Sequence, residues 1–63
     1  MSNNREIIFE MHRIGNFVKI VALDVSTLTE ISIQMPAGAG ETAFKHAATQ
    51  RLLYVLRKKG LIA

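Results

Sequence analysis

The feature that most limits this chain is the coupling of a short length to a missing residue: it has 63 residues and no cysteine. A chain of this size buries only about 60% of the surface its unfolded form exposes, so its own core is marginal. Small domains usually compensate with disulfides, a metal or a second subunit. Disulfides and cysteine-held zinc are excluded here, and the two histidines, His12 and His46, stand far apart in sequence. Association with another chain, or an unusually apolar core, is what remains. Apolar residues make up 49% of the sequence, so part of the apolar surface is expected to lie outside a monomer core.

Two stretches, Arg5 to Ile14 and Phe17 to Val25, are β-prone and roughly alternating. Gly15-Asn16 between them is a two-residue hairpin signal, because primed turns need a positive φ that glycine accepts. Counting outward from that turn sets Met11 against Ile20, Phe9 against Ala22 and Ile7 against Asp24. A third strand runs from about Glu30 to Met35. A four-residue loop, Ser26 to Thr29, would set Val25 against Glu30, Ile33 beside Ala22 and Met35 beside Ile20. Side chains alternate with period two, so both counts put Ile7, Phe9, Met11, Val18, Ile20, Ile31, Ile33 and Met35 on one face. Asp24, at the end of that face, is expected to accept N–H groups of the following loop. Pro36 lacks a backbone donor and is expected to stop the ladder.

From Glu41 to Lys59 the apolar positions Phe44, Ala48, Leu52, Val55 and Leu56 form a helical stripe. Gly60 suits the left-handed residue of a Schellman ending, with Leu61 expected to touch Leu56. The fold class expected is therefore α+β: a three-stranded antiparallel β-β-β meander with one C-terminal helix packed on one face, forming a single βββα domain over residues 1–63. Phe9, Ile33 and Leu52 are expected to meet in its core. Ala43, Ala47 and Tyr54 form a narrower strip beside the main stripe. Arg51 lies between the two strips, and Leu53 falls on the otherwise polar back.

The other sheet face does not alternate cleanly to polar residues, as a solvated face would. It carries Glu6, Ile8, Glu10, His12 and Ile14, then Phe17, Lys19, Val21, Leu23 and Val25, then Glu30, Ser32 and Gln34. Ile8 and Leu23 pair directly, with Val21 and Val25 beside them. A contiguous apolar patch of this kind marks an interaction site. Ile8, Val21, Leu23 and Val25 are the candidate self-association residues, and a homo-oligomer, most simply a dimer, is the partner expected. The competing explanation is a cover formed by the N-terminal arm or by Leu61-Ile62-Ala63.

Net charge is +3 with a pI near 9.8. Arg51, Arg57, Lys58 and Lys59 crowd the helix end, with Lys45 one or two turns earlier, which makes them candidate nucleic-acid contacts. Cations in a last helical turn also offset the macrodipole by roughly 0.3–1 kcal/mol each. The outer face offers only Phe17 for base stacking, where sheet-based RNA binders display several aromatics. No catalytic motif is present: there is no G-x-S-x-G, P-loop, H-E-x-x-H or CxxC. Gly38-Ala39-Gly40 before a helix is a weak match to an anion cradle and reads better as a connection. No catalytic, metal or cofactor residue is assigned, and no small-molecule substrate. No signal peptide or membrane-length apolar run is read. The cysteine-free composition fits a reducing compartment, so the location expected is cytoplasmic.

The string R-E-I-I-F-E-x-H-R-I-G-N-x-V-K-I-x-A-x-D, followed by T-E-I-S-I and Y-V-L-R-K-K, resembles a family of very short uncharacterised alphaproteobacterial proteins. The resemblance covers nearly the whole chain. It implies a complete bacterial gene product of the cytosol and, since the family has no assigned activity, no site residues.

Overall fold

A computed structural model describes residues 5–63. In chain order it holds β1 (Ile7–Ile14), β2 (Phe17–Asp24), β3 (Thr29–Pro36), a short 3-10 turn (Ala37–Ala39) and α1 (Glu41–Lys58). The three strands form one antiparallel sheet in the order β1-β2-β3, and α1 packs on one face of it. The class is α+β, as the sequence leads one to expect.

The first hairpin keeps the counted register, with Met11 opposite Ile20, Phe9 opposite Ala22 and Ile7 opposite Asp24. Gly15 has φ +59° and Asn16 does not share a positive φ. That pattern belongs to a type II′ turn, which needs glycine at its first central position.

The second hairpin differs from the counted one by two residues. Asp24 pairs with Thr29, Ala22 with Ile31, Ile20 with Ile33 and Val18 with Met35. The loop is therefore Val25 to Leu28, and Val25 belongs to the turn instead of the strand. Asp24 decides this. Its carbonyl accepts from Leu28 N–H at 2.7 Å, and its carboxylate Oδ2 accepts from Thr27 N–H at 3.0 Å and Thr27 Oγ1 at 2.6 Å. A shift of two preserves every side chain's face, so the inner apolar set is unchanged.

Pro36 also departs from expectation, since it is the last residue of β3, opposite Phe17. Ala37 N–H donates to Asn16 O at 2.9 Å. The missing N–H of Pro36 therefore points to the open edge, where a strand tolerates proline.

The buried core is Val18, Ile20 and Ala22 from β2 with Phe44, Ala48, Leu52 and Leu56 from α1. The helix lies over β2 and β3. Phe9 and Ile33, on the two edge strands β1 and β3, are only half-buried, while Leu52 is fully enclosed. Gly60 (φ +74°) ends the helix as read: Leu61 N–H bonds Leu56 O at 2.9 Å and Gly60 N–H bonds Arg57 O at 2.9 Å. The apolar residue that packs after this cap is Ile62, because Leu61 stays half exposed. Leu53 joins Ile62 against the core, so it is not a solvated back residue.

Candidate self-association surface

The sheet face away from the helix is organised in rows that run across the strands. Ile8, Leu23 and Glu30 form one row, then Glu10, Val21 and Ser32. His12, Lys19 and Gln34 follow, then Ile14, Phe17 and Pro36 at the Gly15 end. Val25 lies one row further out, past the strand end and opposite Glu6, its N–H bonded to Glu6 O at 3.1 Å. The four candidate residues Ile8, Val21, Leu23 and Val25 thus meet on one face. Ile8 is 48% exposed and Val25 36%, while Val21 and Leu23 are half-buried by their neighbours.

A second apolar pair lies at the opposite end of this face. Ile14 is 56% exposed and Phe17 51%, and they pair directly. Sequence reasoning counted both onto the face but left them out of the site. The signal was there: they flank the two-residue turn, so the same period-two count that joins Ile8 to Leu23 joins them. Between the two pairs, a shallow depression of about 330 Å³ is bordered by Glu10, His12, Lys19, Glu30 and Ser32 around Val21. His12 Nε2 stands 3.4 Å from Glu10 Oε1.

Of the two possible covers, the C-terminal one lies elsewhere. Ile62 packs on the helix side of the sheet, against the core. Met1 to Asn4 lie outside the described residues.

The candidate nucleic-acid residues Arg51, Arg57, Lys58 and Lys59 are all exposed on the helix layer, away from the outer sheet face. The Arg51 guanidinium and the Lys58 ammonium lie over the Tyr54 ring, 5.3 and 6.0 Å from its centroid. Arg57 Nε donates to Ala63 O at 3.3 Å, and Lys45 pairs with Glu41 at 3.1 Å.

At the helix side of β1 a groove of about 530 Å³ has Ile7, Leu53 and Ile62 within it, with Arg5 and Arg57 at the rim. Arg5 Nη1 donates to the buried Asp24 Oδ1 at 2.9 Å. Hydrogen bonds from Thr27, opposed by burial and reinforced by Arg5, hold the Asp24 carboxyl below its ordinary value of 3.8. This carboxylate fastens the loop to the segment just before β1, as expected for a loop-capping aspartate. Among the described residues, no cluster of three or more metal-binding side chains is found, and no helix is long and apolar enough to cross a membrane.

A family described as a domain of unknown function (DUF6898) matches residues 4–59. No curated protein and no solved structure matches the chain.

Proposed function

The chain belongs to the DUF6898 family, and from that premise we propose that it is a binding module that acts without catalysis and pairs with a second copy through its outer sheet face. The carrying observation is the pair of apolar couples at the two ends of one face, exposed Ile8 with half-buried Leu23 and exposed Ile14 with exposed Phe17. A small domain gains most from a second subunit where its own helix provides no cover. A two-fold arrangement presents the same patch from both subunits. The lack of cysteine fits the reducing cytoplasm of a bacterium.

Sedimentation or light scattering at micromolar concentration tests the reading. The native chain sediments as a dimer, and Leu23→Glu, which puts a charge into the patch, sediments as a folded monomer. A 7.0 kDa species at every concentration would overturn it.

A second reading, nucleic-acid binding by the helix layer, draws on one specific observation: Tyr54 is half exposed between Arg51 and Lys58. A ring held among cations offers a base both stacking and charge. Binding of a single-stranded oligonucleotide would then weaken steeply with salt and fall in Arg57→Glu with Lys58→Glu. No binding at low salt removes this reading.

A further inference from the structure

Resting on the self-association reading, the geometry points to one arrangement of the two copies: we propose that they stack outer face to outer face about a two-fold axis that runs across the strands, between the Glu10–Val21–Ser32 row and the His12–Lys19–Gln34 row. The face is polarised along the strands. Glu6, Glu10 and Glu30 occupy the half nearer the Asp24 loop, while His12 and Lys19 occupy the half nearer Gly15. A two-fold axis along the strands would lay each half on its own copy, with Lys19 above Lys19 of the second copy. The axis across the strands reverses the strand direction and lays the acidic half on the basic half.

Shape selects the same register. The Glu10–Val21–Ser32 row lies along the depression in the middle of the face, with His12 and Lys19 of the next row and Glu30 of the row before also at its border. This axis sets the long side chains of Lys19 and Gln34 of the second copy over the shorter Val21 and Ser32. The next rows out then bring the Ile8–Leu23 pair onto the Ile14–Phe17 pair of the second copy, so each exposed apolar couple covers the other. Placing the axis on the Glu10 row instead would lay Leu23 on Lys19, and placing it on the Lys19 row would lay like charges together. Face-to-face sheets cross at about 30° because of their twist. That rotation displaces the outer rows by about one strand, so the apolar couples overlap in part, and displaces the two central rows hardly at all. Glu10 therefore sits beside Lys19 and His12 of the second copy.

Three strands about 4.8 Å apart and eight residues long at about 3.4 Å give a face of about 14 by 27 Å. That is smaller than the roughly 800 Å² per partner of a standard interface, so the pairing belongs with weak, concentration-dependent dimers.

The test is a charge exchange. Glu10→Lys and Lys19→Glu each place like charges together twice in the dimer, and each alone raises the dissociation constant about tenfold. An equimolar mixture of the two variants restores dimerisation, because each copy then meets its opposite charge. Sedimentation of the two variants and their mixture reads this, with circular dichroism confirming that each is folded. A native chain that never dimerises overturns both this arrangement and the self-association reading. A native dimer whose mixture shows no gain over the single variants overturns the arrangement and leaves self-association standing. Preferential pairing of Lys19→Glu with the native chain would assign the axis along the strands, and also overturns it.

Discussion

Asp24 carries more of the structure than any other single polar residue. Its buried carboxylate binds Thr27 and Arg5 together, while Thr27 Oγ1 stands 2.9 Å from Thr29 Oγ1. Leaving a buried acceptor network short of a partner costs about 1–3 kcal/mol. Asp24→Asn should lose stability in that range by chemical denaturation, and Arg5→Gln less, because the Arg5 side chain is partly solvated. The sign of the pH dependence follows from the lowered folded-state value. A depressed carboxylate stabilises above the unfolded value, ordinarily 3.8, and that contribution is lost as pH falls through the lower folded value. The native chain should thus destabilise below about pH 4 more steeply than Asp24→Asn. Equal acid sensitivity of the two would contradict this role. Among apolar residues, Leu52→Ala should cost about 2–5 kcal/mol, and Phe9→Ala should cost less than a fully buried phenylalanine would, since α1 leaves β1 half open. Thermal melting at a single concentration ranks the two.

At the scale of elements, what the sequence made legible depended on how many ways each connection can close. The two-residue turn at Gly15-Asn16 admits one count, and the β1–β2 register came out residue for residue. The second loop can slide by two without exchanging faces. Alternation therefore fixed which side chains point inward but left the pairing of Asp24 with Thr29 to the carboxylate of Asp24, which periodicity does not register. The helix stripe likewise says which side of α1 is buried and nothing about which strands lie beneath it. That is why Leu53 was read onto the polar back, and why Phe9 and Ile33 were expected in the core beside Leu52 although both are only half-buried. The loop has one further strained position: Leu28 has φ 58° and is 75% exposed. A left-handed conformation costs a non-glycine residue about 1–2 kcal/mol, partly offset by the entropy glycine loses on folding. Leu28→Gly should therefore raise stability by about 0.5–1 kcal/mol. A lower melting temperature would show that Leu28 makes a compensating contact. Pro36 blunts the end of β3, whereas β1 is an edge that another strand can in principle join.

For the whole molecule, charge divides by layer. Lys45, Arg51, Arg57, Lys58 and Lys59 ride on the helix with Glu41 as its acid, whereas Glu6, Glu10 and Glu30 lie on the outer sheet face with Lys19. Pairing through the sheet faces would therefore enclose the mixed, apolar-ended surfaces and leave the two basic helix layers outward on opposite sides. The most direct test of that account is an amide-resolved NMR dilution series on the native chain. The account predicts that signals of Ile8, Leu23, Ile14, Phe17, Glu10 and Lys19 move with concentration while those of the exposed helix residues hold still. Movement confined to β1 amides would mean edge-to-edge strand pairing, movement confined to α1 would mean helix-mediated contact, and a spectrum unchanged across the series would mean no pairing at all; each of the three would contradict it.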